Sequence, residues 1–483
     1  MAAVFSEDFV HYTVNVSIVV ILIGNNDQLH LLQLNQGSSA QRSDVDNMSQ
    51  FRVVEPKLSK AHRILNENVD PPIERSGHRM LCDEDYVYVV GGYCPYYSEQ
   101  LIQEIWRFNI LTEEWELMDV EGDEFPPEMA SFSLCAEYSG SWKRAYLFGG
   151  TTVPFGDESS NRVTMLKKLP GGKFKWQPLQ LEGDEPIEEY GSAILVHDGI
   201  IYQIGGTTGH AYNMEVRSLT PVWKETNNPC ASSFPEPDHW KWTLLNRPDD
   251  EWGRYRHEAE LVGNEIVIIG GGNPHWASTL ETLLVFDIRT NEFRKRSCLP
   301  DDDHGYPAPR MCHACVKYED KIYIIGGCSE KKRIFGRRRG VAEIPNVYDD
   351  IWELDTETWK WRKLEARLHN KTCFHGAVVT KDGCVYVFGG AVDGAFTKRC
   401  SVMQRLWLRV PPLQYLTMCA VLSARPELLQ NRSFDSPQFT LSNPSILMRD
   451  AFAWEQKRQE EVEGRLNNSY ANFASYVMKL VIG

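Results

Sequence analysis

The sequence predicts an all-β protein, a six-bladed β-propeller with a C-terminal α-helical segment. A run of β-branched and aromatic residues that ends in two glycines occurs six times. The first glycines of successive pairs are 58, 56, 65, 56 and 63 residues apart, and a period of about 50 residues or more is typical of propeller blades. The structural glycines are Gly91, Gly92, Gly149, Gly150, Gly205, Gly206, Gly270, Gly271, Gly326, Gly327, Gly389 and Gly390.

Each unit divides into four short strands. A first strand, which contains histidine in several units, is followed by a turn with Asp or Gly and then by the strand that ends at the glycine pair. We expect the paired glycines where the backbone turns beside the central channel and a Cβ atom would clash. The fourth strand carries a large aromatic residue that should fill the space between neighbouring blades. These aromatic residues are Trp115, Trp176, Trp242, Phe293 and Trp361.

The sixth unit lacks a fourth strand of its own. Its third strand, around residues 401–410, is followed at once by Pro411 and Pro412. An unpaired edge there would be a site of aggregation, so another segment must close the ring. Our first candidate is residues 51–56 in the N-terminal tail, and the apolar run 14–23 is the second.

The glycine pairs, the aromatic fourth strand and the histidine-containing first strand resemble kelch repeats. The resemblance covers residues 75–410, most of the chain, and implies a kelch β-propeller there. It leaves an N-terminal tail of residues 1–74, a helical segment at 411–430 and a helical tail at 431–483.

Composition excludes several classes of partner. The net charge of −15 makes binding to nucleic acid unfavourable, since such binding depends on cationic side chains. The N-terminal apolar run is too short to cross a membrane and follows acidic residues, unlike a signal peptide. The 12 cysteines lack paired spacing, which favours reduced thiols in a cytoplasmic or nuclear protein.

We expect no catalytic residue, cofactor or metal. Motifs of serine hydrolases, phosphate-binding loops and zinc proteases are absent from the sequence. Cys312 and Cys315 form the only CxxC motif, and no second pair completes a zinc site. Four histidines recur at one place in the repeat, which indicates the same structural role in each blade rather than a metal cluster. They are His78, His257, His313 and His375.

Arginines recur three residues before these histidines, at Arg75, Arg254 and Arg310. In kelch-like propellers the start of the first strand opens onto one mouth of the channel. A ring of guanidinium groups among aromatic residues suits a carboxylate. The alternative is that the arginines pair with neighbouring acidic side chains. The complete set for a substrate carboxylate adds Arg256, Tyr190 and Phe374 to these three arginines.

Five segments are similar to one group within the kelch family. They are PPIERSGHR at 71–79, GGTTG at 205–209, RYRHE at 254–258, GGG at 270–272 and LWLRVP at 406–411. Members of this group are substrate receptors of Cullin-2 ubiquitin ligases and recognise C-terminal degrons that end in glycine. The resemblance implies that the arginine-lined mouth receives the terminal carboxylate of a substrate protein.

Receptors of this kind bind Elongin C through a helix called a BC box. Leu413, Thr417 and Val421 have its spacing, and residues four apart share one helix face. Thr417 stands where the pattern has Cys or Ala. A Cullin-2 contact is expected to follow at Pro426, Leu428 and Leu429, although Arg425 occupies an apolar position of that pattern. The alternative is a helix that only caps the propeller.

The partners implied are Elongin B/C, Cullin-2 with its RING subunit, and substrate proteins through their C-termini. The alternative hypothesis is that the protein is a kelch scaffold or a regulator of kinases or phosphatases and does not assemble into a ligase. The basic stretch at 331–339 is either a nuclear-localisation signal or a solvated loop.

Overall fold

Six antiparallel sheets surround a central channel, as the repeats predict. The computed structural model describes residues 19–23, 29–33, 51–58, 71–97, 100–122, 125–139, 141–169, 172–223, 237–248, 252–330, 344–412 and Tyr415. The first strands of successive blades are neighbours around the channel, and the sixth meets the first. No helix in this part of the chain is long and apolar enough to cross a membrane.

The N-terminal strands come before the first blade. They are β1 (Val19–Ile23), β2 (Leu29–Gln33), β3 (Arg52–Val54) and β4 (Lys57–Leu58). Strands β1 and β2 pair with each other as a separate antiparallel hairpin.

The blades follow in chain order, and each is described from the channel outward. Blade 1 has β5 (Arg79–Cys82), β6 (Tyr86–Val90), β7 (Ile105–Asn109) and β8 (Glu114–Leu117). After β9 (Val120–Gly122), blade 2 has β10 (Ser133–Ser139), β11 (Ser141–Phe148), β12 (Val163–Lys168) and β13 (Phe174–Pro178). After β14 (Leu181–Gly183), blade 3 has β15 (Ala193–His197), β16 (Ile200–Thr207), β17 (Tyr212–Val222) and β18 (His239–Asn246).

Blades 4 to 6 complete the ring. Blade 4 has β19 (Tyr255–Val262), β20 (Glu265–Asn273) with the short β21 (Trp276–Ala277) beside it, β22 (Thr282–Asp287) and β23 (Glu292–Ser297). Blade 5 has β24 (Ala314–Tyr318), β25 (Lys321–Ile325), β26 (Asp350–Asp355) and β27 (Lys360–Arg367). Blade 6 has β28 (Gly376–Val379), β29 (Cys384–Phe388) and β30 (Met403–Trp407).

The outer strand of blade 6 is β3, from the first of the two candidate segments. It pairs antiparallel with β30, and Val53 lies opposite Gln404. The chain then continues into β4, which pairs in parallel with β8 of blade 1. The strands β9 and β14 make the same parallel link at the next two junctions. Residues 51–58 therefore repeat at the seam a connection used elsewhere in the ring.

Large aromatic residues fill the space between blades, as expected. Trp115, Trp176, Trp242 and Trp361 are at most 1% exposed. Trp115 contacts Phe388 of blade 6, with ring centroids 5.3 Å apart. The resulting cluster joins blades 1 and 6 and includes Val54 of the closing strand. Ring closure is thus stabilised by apolar burial as well as by strand pairing.

The glycine pairs allow close approach between neighbouring blades. All twelve have positive φ angles. A Cβ atom on Gly270 would lie 2.6 Å from the Arg310 carbonyl oxygen of the next blade, and one on Gly326 would lie 2.6 Å from the Thr372 carbonyl oxygen of the next blade. In addition, the second glycine of each pair donates a backbone hydrogen bond to a carbonyl group of the next blade, at 2.8–3.1 Å.

A second set of backbone hydrogen bonds forms a closed ring around the channel. Each of six residues donates its N–H to the carbonyl oxygen of the equivalent residue in the preceding blade, at 2.7–3.2 Å. All six have φ angles between 54° and 69°. They lie at or just before the start of the first strand of each blade, and we call them the ring residues. They are Gly77, Ser131, Gly191, Arg256, Cys312 and Phe374.

We predict that Val54→Asp destabilises the propeller by about 3 kcal/mol, since it buries a carboxylate without a partner. The free energy of unfolding can be measured by urea denaturation. The matched control is Arg52→Asp on the same strand, whose side chain is exposed, and it should change stability by less than about 0.5 kcal/mol. Equal losses in the two variants would contradict the role of β3 in closing the ring.

Candidate functional site

The ring residues lie at the base of a pocket at one mouth of the channel. The pocket has a volume of about 290 Å³. Five of the six ring residues line it, together with residues from the loops that follow the glycine pairs. The base is therefore fixed by the hydrogen-bonded ring, while the walls come from loops, whose sequence differs between blades.

Arg256 is the ring residue that brings charge to the pocket. Its side chain is buried, donates from Nη2 to Ser131 Oγ and lies 5.0 Å from the centre of the Phe374 ring. Nε has no hydrogen-bond partner, and Arg256 makes no ion pair with any described residue. Burial lowers its pKa from the usual value, because water no longer solvates the charge. A buried guanidinium of this kind favours an anionic ligand.

Arg399 is the second cation of the pocket. It donates from Nε to Ser76 Oγ at 2.6 Å and from Nη1 to the Phe396 carbonyl oxygen at 2.5 Å. Its guanidinium lies 5.5 Å from the centre of the Tyr93 ring. One carboxylate, that of Glu330, also lines the pocket. Sequence reasoning missed Arg399 because it lies in a loop of blade 6 and has no counterpart in the repeat.

Aromatic side chains form much of the pocket wall. They stand in edge-to-face pairs, with ring centroids separated by 4.8–6.2 Å. The three pairs are Tyr93 with Phe155, Tyr190 with Tyr255, and Phe374 with Phe396. Phe155 is 47% exposed at the rim. The predicted residues Arg256, Tyr190 and Phe374 are thus brought together, in a cup that offers apolar contact and positive charge.

Arg75, Arg254 and Arg310 do not line the pocket, contrary to their predicted contact with a substrate carboxylate there. Each is at most 7% exposed, and its guanidinium is bonded within the blade. In all three, Nε donates to the carbonyl oxygen two residues earlier and Nη1 donates to the carbonyl oxygen of the first glycine of the pair.

These guanidiniums also bond to side chains on the third-strand side of the blade. Arg75 pairs with Glu104 at 2.9 Å, and Arg310 pairs with Asp350 at 2.8 Å. Arg254 donates to Ser278 Oγ at 2.9 Å. Ion pairing with acidic neighbours, the alternative left open by the sequence, therefore holds for Arg75 and Arg310. Their recurrence reflects a shared structural role in the blade.

The recurring histidines are also structural. All four are buried, and Nε2 of His257 lies 3.1 Å from the Ile204 carbonyl oxygen of blade 3. Burial lowers the pKa of His257 to about 3 and that of His375 to about 4, so both are neutral at physiological pH. The described residues contain no group of three or more His, Cys, Asp or Glu side chains placed to hold a metal ion.

The predicted contacts with ligase subunits lie outside the described residues. They are Leu413, Thr417, Val421, Pro426, Leu428 and Leu429. The basic stretch at 331–339 and the tail at 431–483 also lie outside. Tyr415, which is described, rests against Trp407 of blade 6 with ring centroids 4.9 Å apart, and its hydroxyl accepts a hydrogen bond from Arg405. Tyr415 thus lies beside the seam between blades 6 and 1.

Comparison with known proteins identifies the family. A profile described as the KLHDC2/KLHL20/DRC7 Kelch-repeats domain matches residues 37–240 and 231–408. Kelch domain-containing protein 10 of Xenopus tropicalis is 33% identical over 407 residues, which cover 81% of this chain and 89% of that protein. The chain belongs to the kelch domain-containing protein 10 family.

Other members of the kelch domain-containing protein 10 family show the same relationship. The human protein is 33% identical over 372 residues, 74% of this chain and 75% of its own length. The Drosophila melanogaster homologue is 30% identical over 383 residues, 72% of this chain and 57% of its own length. These matches confirm the resemblance carried by the five sequence segments. Kelch propellers typically bind proteins, and no catalytic group is evident among the described residues.

We predict that Arg310→Ala lowers the free energy of unfolding by about 3 kcal/mol at pH 7, since it leaves the Asp350 carboxylate, whose side chain is only 17% exposed, without its partner. In the wild type, burial alone would raise the pKa of Asp350, but Arg310 and the Trp352 indole N–H hold it below the usual value. The pair therefore stabilises the wild type fully above about pH 4, and this stabilisation is lost as the pH falls further and Asp350 is protonated.

The pH dependence distinguishes this effect from a general packing defect. Without Arg310, burial should raise the pKa of Asp350, so the deficit of the variant should shrink as pH falls from 7 to 5. Arg367→Ala is the control, since its side chain is 57% exposed in its pair with Asp349. A deficit that stays constant with pH would argue against the ion pair as its cause.

Proposed function

We propose that this protein is the substrate-recognition subunit of a Cullin-2-RING ubiquitin ligase and that its pocket binds C-terminal degrons ending in glycine. The observation that carries the proposal is Arg256, a buried guanidinium at the base of the pocket without a carboxylate partner among the described residues. A protein C-terminus supplies one carboxylate at the end of a chain, which suits a cup with positive charge at its base.

The walls support a peptide rather than a small polar anion. Aromatic pairs surround the two guanidiniums, and such surfaces give large contact area to an extended chain. At the base, Gly77 lies so close to Arg256 that a Cβ atom there would be 3.3 Å from Nη2. A terminal residue without a side chain can approach such a crowded base with least steric conflict, which favours glycine.

The ligase role rests on the segment after the propeller. In the kelch domain-containing protein 10 family, as inferred above from sequence resemblance, receptors use a BC box to bind Elongin C, and Leu413, Thr417 and Val421 are our contacts. Pro426, Leu428 and Leu429 would then contact Cullin-2. Tyr415, between the first two, rests on Trp407 of blade 6. Ubiquitin transfer itself would belong to the partner subunits, in the cytoplasm or nucleus.

We predict that Arg256→Gln weakens binding of a glycine-ended peptide by about 10- to 100-fold, the effect of losing one charge-assisted hydrogen bond. Amidation of the peptide C-terminus should weaken binding to the wild type by a similar factor. Fluorescence anisotropy with a labelled peptide measures both. Arg289→Gln, an exposed residue of blade 4, is the control. Equal affinity for the free acid and the amide would contradict carboxylate recognition.

A separate experiment tests ligase assembly. We predict that Leu413→Asp abolishes co-purification of Elongin B/C from cells, because a charge on the apolar helix face cannot enter the groove of Elongin C. Peptide binding by the propeller should be retained. Arg289→Gln again serves as the control and should keep Elongin B/C. If the wild type recovers no Elongin B/C, the protein is a kelch scaffold or signalling regulator without ligase assembly.

A further inference from the structure

An ion pair crosses the channel beneath the pocket. Arg79, on the first strand of blade 1, donates from Nη1 to Glu258 Oε1 at 2.8 Å. Glu258 is on the first strand of blade 4, and blades 1 and 4 face each other across a six-membered ring. Arg79 is also anchored to blade 2, through a hydrogen bond from Nε to the Phe132 carbonyl oxygen at 3.0 Å. The pair therefore spans the channel from one side to the other.

The pair lies next to the ring residues that form the base of the pocket. Arg79 follows the ring residue Gly77 by two positions, and Glu258 follows Arg256 by two positions. Arg256 reaches in the opposite direction, from blade 4 to Ser131 of blade 2 and towards Gly77 of blade 1. The guanidiniums of Arg79 and Arg256 thus cross the channel at successive levels along its axis, and the Glu258 carboxylate is hydrogen-bonded to the first of them.

The charges of these three side chains are coupled. Burial is the main cause that lowers the pKa of Arg256, the charge of Arg79 acts in the same direction, and the Glu258 carboxylate opposes it. Glu258 makes its hydrogen bond to Arg79 and not to Arg256. The charge of Arg256 can therefore act on a ligand in the pocket, whereas the charge of Arg79 is neutralised by Glu258.

We propose that the Arg79–Glu258 pair sets the charge at the base of the pocket, so that Arg256 is left to bind a single carboxylate. This inference rests on the proposed function and adds two residues that control specificity without touching the ligand. The pair also lies across the channel next to the base, a position that favours the end of a chain over a segment threaded through the channel.

The proposal predicts changes of opposite sign in the two single variants. In Arg79→Gln, Glu258 loses its partner and neutralises Arg256, so affinity for a glycine-ended peptide should fall roughly tenfold. In Glu258→Gln, two guanidiniums lack a counter-ion, so affinity should rise by a similar factor. The double variant Arg79→Gln/Glu258→Gln restores one net positive charge and should bind nearly as the wild type does.

The experiment measures dissociation constants of the four proteins for one peptide, as the free acid and as the amide. The variants should change the dissociation constant of the free acid and leave that of the amide unchanged, whereas a merely structural effect would change both dissociation constants. Glu116→Gln is the matched control, because it breaks a similar ion pair with Arg107, at 2.7 Å, on the outer strands of blade 1. It should leave affinity unchanged.

Loss of affinity in both single variants, or a double variant as weak as Arg79→Gln, would overturn the proposal. Should Glu258→Gln not fold, the comparison of Arg79→Gln with the double variant carries the same test. If the wild type binds acid and amide equally, the proposed function fails. In that case, the rise in melting temperature caused by N-acetylglycine tests the role of the pair separately. A rise that is largest for Glu258→Gln, intermediate for the wild type and smallest for Arg79→Gln supports that role, and equal rises refute it.

Discussion

The structure depends on the closed ring of backbone hydrogen bonds around the channel. Six residues in the left-handed conformation each donate to the preceding blade, and the circle closes between Gly77 and Phe374. Because these bonds use only main-chain atoms, side chains at the same positions are free to differ. The hydrogen-bonded ring therefore fixes the shape of the pocket base, and the side chains of the ring residues determine its chemical character. Arg256 is the one that introduces charge.

Burial gives the arginines of this protein two different roles. Arg75 and Arg310 are enclosed in their blades, and the carboxylates of Glu104 and Asp350 compensate their charge. Arg256 is also buried, but its hydrogen-bond partner is the Ser131 hydroxyl, and no described carboxylate forms an ion pair with it. The paired arginines stabilise the fold. Arg256 instead favours binding of an anionic ligand, because a buried charge without a counter-ion is unfavourable.

Repetition explains why the fold was predictable and the site was only partly so. The glycine pairs and Trp115, Trp176, Trp242 and Trp361 recur because every junction between blades imposes the same close approach and the same space to fill. The arginines before the histidines recur for a similar reason, and taking them as a binding set confused a structural repeat with a functional one. Arg399, in contrast, occurs once in a loop, and a search for repeated residues could not find it.

The sequence by itself determined the number of blades and the residues between them, named residues 51–56 as the first of two candidates for the closing segment, and named three residues that line the pocket. These features can be predicted from local patterns, because the alternation of residues in strands and the spacing of glycines are visible in the sequence itself. Only the tertiary structure decided which arginines face the pocket and that Arg79 meets Glu258. Those contacts join residues up to 179 positions apart, and they are set by the curvature of the ring, which no local pattern encodes.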